Sequence, residues 1–224
     1  MYYLAAVDIV RFTILLLCTA VISGAQNTTY SHNQPAQRVP ALNPPPGTNA
    51  LANSIRAEQN GTLRALDMAL LNSPSFTTGW NALFRQIRYN STVPGDVREL
   101  AILRVAALQG AAYQWGQHES VGRSVGLTSS QLKLIRDPTF SPWGAPPTTP
   151  VFSAKQLAAM KFIDQSTRYS HVSNEVWAEL AKQFTVPQQQ TELVLTVASY
   201  ALVSRFLLAV SVDGVAEMQI PYPA

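Results

Sequence analysis

The stretch Pro94–Gly126, PGDVRELAILRVAALQGAAYQWGQHESVGRSVG, decides the fold and holds the best candidates for a chemical site. Its first proline suits the opening turn of a helix, and a strongly apolar run, Leu100–Leu108, follows. Gly110 interrupts this run, and a helical pattern resumes at Ala111. The stretch therefore predicts two helices that meet at a corner of small residues.

The segments on both sides of this stretch also carry helical patterns. Apolar residues recur every three or four positions, and a hydroxyl residue with a glutamine three positions later precedes two of the segments. No segment alternates apolar and polar residues for long enough to predict a strand. The fold class is therefore all-α, with helices predicted over residues 51–71, 75–90, 94–108, 111–125, 128–135, 154–168, 173–184 and 187–212.

One sequence pattern occurs twice and predicts a duplicated helix–turn–helix unit. In both copies W-x-x-L precedes T-V-P, and E-L follows five residues after the proline. The first copy leads from Trp80 to Glu99, and the second leads from Trp177 to Glu192, with a spacing between Trp and Thr that differs by four residues. Only the first copy is followed by a histidine, His118, so we expect any chemistry in the first copy.

The first 48 residues differ in composition from the rest of the chain. Residues 1–25 have the layout of a secretory signal peptide, with an apolar run over 12–22 and small residues after it. A membrane anchor is the alternative, but a span needs about 20 apolar residues. Residues 26–48 hold five prolines and predict an extended, disordered and solvated leader, which leaves residues 49–224 for the helical domain.

Further features agree with a secretory route. The acceptor pattern N-x-S/T occurs at Asn27, Asn60 and Asn90, which predicts glycosylation. The only cysteine, Cys18, lies inside the predicted signal, so we expect a mature chain without disulfides, cysteine nucleophiles or thiolate metal ligands. We therefore expect a secreted or lumenal protein that has no membrane span after signal cleavage.

The composition argues against other classes of protein. Charged residues make up 13% of the chain and hydrophobic residues 47%, which indicates a globule with a large core. The net charge is +3, and the basic residues are scattered without the clusters that mark a nucleic-acid surface. We expect no nucleic-acid partner.

Glu99 and His118 are the leading candidates for a site, because histidine occurs only three times in 224 residues. On one unbroken helix the nineteen positions between them would span roughly 28 Å, too far to share a substrate. They can meet only if the chain turns near Gly110. The prediction is therefore a helix break at that position.

The segments RELAILRVAA, residues 98–107, and AYQWGQH, residues 112–118, resemble the carboxymuconolactone decarboxylase-like family of the alkylhydroperoxidase D-like superfamily. The resemblance extends from about residue 62 to residue 212, and it implies a helical bundle that forms trimers or hexamers through helical faces. In the peroxidase branch the Glu is followed by C-x-x-C and then His. Here Ala111 and Gln114 stand at the cysteine positions, so thiol peroxidase chemistry is not expected.

Without the cysteines, the Glu and His positions resemble the decarboxylase-type arrangement of the family. The resemblance implies a small oxygenated organic acid or lactone as the substrate. If that substrate accepts the electron pair itself, the reaction needs no metal and no organic cofactor. The resemblance implies that His118 delivers the proton and that Glu99 orients it or acts as a base. Substrate-binding roles fall to four further side chains: Tyr113 and Trp115 as pocket walls, Gln114 as a hydrogen-bond donor to a carbonyl, and Arg205 as a carboxylate anchor. Secretion suggests a tailoring step in secondary-metabolite biosynthesis.

Each candidate also has a purely structural interpretation. Glu99 could cap its helix and pair with a neighbouring arginine, and His118 could be a core histidine. The two aromatics could simply pack, and Arg205 could form a salt bridge with Glu192 or Asp213. The proline-rich loop 137–151 could cover a pocket or insert its aromatics into the core. Isomerisation or cyclisation by proton transfer, and non-catalytic binding of a small molecule, remain the alternative functions.

Overall fold

The computed structural model describes residues 36–144 and 150–224. Within these ranges the chain forms α-helices and no strand, so the all-α prediction is confirmed. The predicted signal peptide, Cys18 and Asn27 lie outside the described residues. The described helices are α1 (Ala50–Glu58), α2 (Ala65–Leu70), α3 (Pro74–Arg85), α4 (Gly95–Gln109), α5 (Ala112–Ser124), α6 (Ser129–Arg136), α7 (Ala154–Tyr169), α8 (Asn174–Gln183) and α9 (Pro187–Val210).

Helix α4 is the centre of the fold. Every residue over positions 99–107 is buried, including the charged side chains of Glu99 and Arg104. A helix with apolar residues on all sides must be covered on all sides, and α4 packs against α5, α6, α7 and α9. The apolar run in the sequence therefore forms the middle of the core.

The corner between α4 and α5 lies at Gly110, as predicted. Gly110 adopts the left-handed conformation with φ +74°, which glycine reaches without steric cost. The next backbone N–H, at Ala111, donates to the carbonyl oxygen of Ala106 at 2.9 Å and closes the helix end. The predicted helix break is confirmed, and α5 folds back along α4.

A second glycine brings these two helices close together. A Cβ atom on Gly122 would lie 3.0 Å from Leu103 Cδ1 and 3.2 Å from Leu127 Cδ1, closer than side-chain contacts normally permit. The nearest atom of Glu99, its Cβ, would lie 3.8 Å away. The missing side chain of Gly122 therefore allows α5 to approach the part of α4 that carries Glu99.

A buried ion pair joins α4 to α7. Arg104 and Asp164 form two parallel hydrogen bonds, Nε to Oδ1 at 2.7 Å and Nη2 to Oδ2 at 2.8 Å. The remaining Arg104 donors reach backbone oxygens of the segment that follows α6, among them Asp137 at 2.6 Å and Phe140 at 2.9 Å. Because these bonds satisfy both charges, the pair can lie fully inside the core.

The aromatic loop that follows α6 does not cover the cavity beside His118. Phe140 packs against the core and lies 6.0 Å from Phe152, ring to ring, while Trp143 is 49% exposed. Of its residues that the structure describes, none lines that cavity. The packing interpretation therefore holds for Phe140, and the loop instead lines a separate cavity of about 220 Å³ with Phe140, Trp143 and Phe152.

The two copies of the repeated pattern both form a helix, a turn and a second helix. In the first copy, α3 continues into a π-helical turn, Gln86–Asn90, before α4 begins. In the second copy, α8 leads directly through Val186 to α9. By length and composition α9 is the one described helix that is apolar enough to cross a membrane, but core helices share this property, and α9 packs along α4.

The described part of the predicted leader, residues 36–48, is extended and mostly exposed, but it is bonded to the helical domain. The backbone N–H of Arg38 donates to Val210 O at 2.8 Å, and that of Leu42 donates to Met68 O at 3.0 Å. The side chain of Arg56 holds Pro44 O at 2.6 Å, and Val39 packs against the core. This proline-rich segment is extended but uses its remaining donors and apolar side chains to adhere to the helices.

The prediction of one helix over 51–71 is wrong, because the chain breaks between α1 and α2. Asn60 and Gly61 adopt left-handed conformations with φ +52° and +82°, which a helix cannot contain.

Two of the three predicted glycosylation sites lie among the described residues. Asn60 and Asn90 are both exposed, as glycosylation would require. Their occupancy stays a prediction.

Candidate functional site

The pair predicted from sequence forms a direct contact. Glu99 Oε2 lies 2.8 Å from His118 Nδ1, and both side chains are largely buried. Arg98 Nε approaches the other carboxylate oxygen at 3.6 Å. A carboxylate at Nδ1 assigns the ring proton to that nitrogen, which leaves Nε2 as the free acceptor of the neutral ring. Glu99 therefore contacts both a neighbouring arginine, as its structural interpretation expects, and His118, as its predicted role expects.

His118 lines a small cavity of about 30 Å³, space for about one or two water molecules. The other polar side chains around it come from several helices and the turns between them, and they are Arg64, Asp67, Asn81, Arg88, Tyr113, Gln114, Gln117 and Tyr200. One histidine, two arginines and two tyrosines therefore surround one partly enclosed space.

Tyr200 connects the histidine to an arginine. Its ring lies 5.1 Å from the His118 ring at 89°, and its hydroxyl oxygen accepts a hydrogen bond of 3.4 Å from Arg88 Nε. Burial raises the pKa of Tyr200, which keeps the phenol neutral at ordinary pH. Tyr200 therefore presents a neutral wall to the imidazole and a polar partner to the guanidinium.

A second polar cavity adjoins the first. It has a volume of about 150 Å³, lies between α1 and α3, and shares three lining side chains with the histidine cavity: Arg64, Asn81 and Arg88. Burial raises the pKa of Asp67, on the histidine side, despite the hydrogen bond from the Arg64 backbone N–H. The two cavities that share these side chains are together called the cleft, and its lining carries more positive than negative charge.

The largest cavity near the site is an apolar groove of about 780 Å³ that contains Phe76, Leu83, Leu202 and Phe206. It shares Trp80 with the histidine cavity, and no ionisable side chain lines it. Size alone would favour this groove as a binding site, but it has no group that could move a proton. The side chains that could move a proton therefore line the smaller, polar cleft.

Tyr113 and Gln114 both line the histidine cavity, and each is held there by hydrogen bonds. The Tyr113 hydroxyl accepts a 3.3 Å hydrogen bond from the Leu66 backbone N–H, so the ring forms part of the wall. The Gln114 amide donates to Ile102 O at 2.9 Å and accepts from Ser204 Oγ at 3.0 Å. One amide N–H of Gln114 and its oxygen therefore join α5 to α4 and α9, and a bond from the second N–H to a substrate carbonyl stays a prediction.

The structure places Trp115 and Arg205 outside the cleft, which does not support their predicted substrate-binding roles. Trp115 is fully buried outside the cavity, and its indole N–H donates to Glu119 Oε2 at 2.8 Å. Arg205 is exposed on α9, outside both parts of the cleft, and forms no ion pair within the described part of the chain. The suggested salt bridges of Arg205 with Glu192 and Asp213 are therefore absent too.

The arginines of the cleft were missed by the sequence reasoning. Arg88 and Arg64 lie on separate turns before the Glu99 helix, and Tyr200 lies about a hundred positions after it. Nothing in the spacing of these residues indicates that they meet. Among the described residues no group of three or more histidine, cysteine, aspartate or glutamate side chains is arranged to hold a metal.

Comparison with known proteins agrees with this geometry. The family model described as "Carboxymuconolactone decarboxylase family" matches residues 74–147, which include both Glu99 and His118. This confirms the family resemblance over that segment. The matched segment also contains Arg88 and Asn81 but ends before α9, which supplies Tyr200. No curated protein matches the chain.

Two solved structures share the fold. An uncharacterized peroxidase-related protein from Silicibacter sp. TM1040 aligns over 83% of this chain and 94% of its own length, with a TM-score of 0.64 and 15% identity. The debrominase Bmp8, as a cysteine-to-alanine variant in complex with 2,3,4-tribromopyrrole, aligns over 70% and 80%, with a TM-score of 0.57 and 16% identity.

At such identities these structures establish the fold alone, an all-helical fold that this chain shares with both of them. The first of them is described as peroxidase-related. The exclusion of thiol peroxidase chemistry therefore stays a prediction, which rests on Cys18 as the only cysteine of the chain.

Proposed function

We propose that this protein is a cofactor-independent, decarboxylase-like lyase that acts on a small oxygenated organic acid or lactone. In this proposal His118 moves the proton, and Glu99 is a positioning residue that acts through it. The observation that carries the proposal is the 2.8 Å contact between Glu99 Oε2 and His118 Nδ1 beside a polar cavity. The family match over residues 74–147 and a debrominase among the fold relatives support an enzyme that acts on small molecules.

The reaction needs one proton and a place for one electron pair. The carbon–carbon bond to the carboxylate breaks, CO2 leaves, and the electron pair delocalises into an unsaturated carbonyl group of the substrate. Protonated His118 then donates its Nε2 proton to the resulting carbanion, and solvent restores the proton. Glu99 stabilises the charged ring while the proton is present and holds the ring in one orientation.

The size of the cleft limits the substrate. The space beside His118 is too small for an organic acid, so most of the substrate would occupy the adjoining cavity of about 150 Å³. The reactive carbon would then lie at the boundary between the two spaces, near Tyr200 and His118. The predicted secretory signal supports a tailoring step in secondary-metabolite biosynthesis.

The proposal is tested with a panel of unsaturated lactone acids and β-keto acids, incubated with the full chain in D2O. CO2 release measures decarboxylation, and deuterium at the product carbon reports proton delivery. We expect His118→Asn to lower turnover by about 10²–10⁴-fold. His171→Asn is the matched control, because His171 is exposed in the loop before α8 and should leave turnover unchanged.

Each other outcome has a definite meaning. Full activity in His118→Asn would refute the assignment of the proton-transfer residue. Deuterium incorporation without CO2 would identify an isomerase or cyclase that uses the same pair. Binding of panel members with neither CO2 nor deuterium would favour a non-catalytic binding protein.

A further inference from the structure

We infer that Arg88, assisted by Arg64, forms a carboxylate-binding subsite that holds an acidic group of the ligand beside His118. The inference rests on the proposed function, because it places one group of the substrate relative to the proton-transfer residue. It concerns binding alone, so it can fail or succeed separately from the chemistry.

Arg88 occupies an unusual position in the backbone. It lies in the π-helical turn Gln86–Asn90, which continues α3. A π turn adds a residue to the helical repeat and redirects the side chains that follow, and such turns are frequent at functional sites. Here the Arg88 side chain is half-buried against Phe84 and Tyr200 and lines both parts of the cleft.

The contacts of Arg88 hold the guanidinium without using its paired donors. Nε donates to the Tyr200 hydroxyl oxygen at 3.4 Å, and the guanidinium carbon lies 5.5 Å from the centre of the Phe84 ring. Within the described residues neither Nη1 nor Nη2 has a hydrogen bond or an ion pair. A fixed guanidinium with two open amino groups has the geometry that binds a carboxylate through two hydrogen bonds.

The charge of Arg88 has no close counter-ion in the described part of the chain. Burial opposes its charged form, but Tyr200, Tyr89 and Asp67 raise the pKa, so the group stays charged. Asp67 forms no ion pair with it and instead accepts the Arg64 backbone N–H at 2.9 Å. A partly buried cation without a paired anion is costly, and a bound carboxylate would offset that cost.

The position of this cation suits the proposed chemistry. Arg64, Asn81 and Arg88 line both the cavity of about 150 Å³ and the cavity beside His118. A carboxylate bound to Arg88 would leave most of a small molecule in the larger cavity, with the atoms next to the carboxylate nearest to Tyr200 and the imidazole. Arg205, which the sequence favoured for this role, lies outside the cleft.

The experiment is an NMR titration of the isotope-labelled full chain with crotonate, a small unsaturated carboxylate, and with crotonamide, its neutral counterpart. We expect crotonate to shift the Arg88 Nε–H signal and to bind about tenfold or more tightly than crotonamide. Arg88→Gln should weaken crotonate binding by about tenfold or more. Arg205→Gln, the matched arginine control, should bind within about twofold of the unmodified protein.

Equal affinity for crotonate and crotonamide would overturn the inference, as would unchanged crotonate binding in Arg88→Gln. If Arg88→Gln does not fold, the titration of the unmodified protein still tests the inference. Crotonate binding without a shift of the Arg88 Nε–H signal would overturn it. His118→Asn should retain crotonate binding while it loses turnover. A failed carboxylate subsite is therefore distinguishable from a failed proton-transfer assignment.

Discussion

Glu99 and Glu192 occupy the same position in two copies of one sequence pattern, five residues after T-V-P, but their surroundings differ. Glu99 is 3% exposed and contacts His118 Nδ1 at 2.8 Å. Glu192 is only partly buried, and its Oε2 accepts hydrogen bonds from the Thr92 backbone N–H at 2.6 Å and hydroxyl at 2.8 Å. One carboxylate contacts the histidine that lines a cavity, and the other secures a turn of the opposite copy.

The helix that follows each carboxylate explains the difference. After α4 the chain reverses at Gly110 and returns as α5, which brings His118 to Glu99. After α9 the described chain continues into a short 3-10 turn, Val212–Gly214, and a segment without helix. The glutamate of the second copy therefore meets the turn before α4 instead of a histidine. A repeated motif thus acquires its role from its partner helix.

The largest expected effect is a difference in turnover between variants of Glu99 and Glu192. Glu99→Gln should lower turnover by about 10²–10³-fold, because an amide neither stabilises the charged imidazole nor assigns its proton. Glu192→Gln should change turnover by less than about twofold, since surface hydrogen bonds contribute little to a distant site. The measurement is CO2 release or deuterium incorporation with the same substrate, and thermal unfolding checks that both variants fold. Equal losses in the two variants would remove the functional distinction.

The next largest effect concerns the close contact between α5 and α4 at Gly122. Gly122→Ala should destabilise the protein by about 1–3 kcal/mol and lower turnover, because its Cβ would force α5 away from α4. Gly116→Ala, on the same helix, has nothing within 4 Å and should stabilise by about 0.5–1 kcal/mol. Urea unfolding measures both values. A stable, fully active Gly122→Ala variant would show that close helix contact is unnecessary for the Glu99–His118 pair.

The smallest effect concerns acid stability and belongs to Glu192. Burial alone would raise the pKa of this carboxyl group, but hydrogen bonds from Gln188, Thr92 and Ser91 outweigh it and lower the pKa. A carboxyl group with a lowered folded-state pKa contributes stability above its ordinary pKa of 4.5 and loses that contribution as the pH falls through the lowered value.

The unmodified protein should therefore lose some stability below about pH 4.5, and Glu192→Gln should make this acid-side decline shallower. Urea unfolding at a series of pH values measures the slope. An unchanged slope in Glu192→Gln would show that the bonds to Ser91 and Thr92 do not favour the ionised form.

Local sequence signals predicted the features that depend on neighbouring residues in the chain. The apolar run that becomes α4, the left-handed corner at Gly110 and the capping residues Thr128 and Ser153 follow from side-chain chemistry within a few positions. The match of Glu99 and His118 to a family pattern added their pairing. The break at Asn60-Gly61 carried a local signal too, which helical periodicity obscured.

The site predictions that the structure does not support share a different cause. Trp115 and Arg205 have the right residue types for a binding site, but helix rotation places one in the core and the other in solvent. Gln114 reaches the cavity, yet neighbouring helices occupy one N–H and the oxygen of its amide. Residue type and spacing do not specify which partner a side chain meets, because that depends on the packing of distant helices.

An all-helical chain and a helix break at Gly110 are predictable from the amino-acid sequence, since each depends on short-range sterics, hydrogen bonding and hydrophobic periodicity. The packing of the helices, in contrast, brings Glu99 to His118 and Glu192 to Ser91 and Thr92. It also decides that Arg88, rather than Arg205, shares the cleft with the histidine. These contacts join residues far apart in the chain, and burial of the apolar faces of α4, α5 and α9 brings them together.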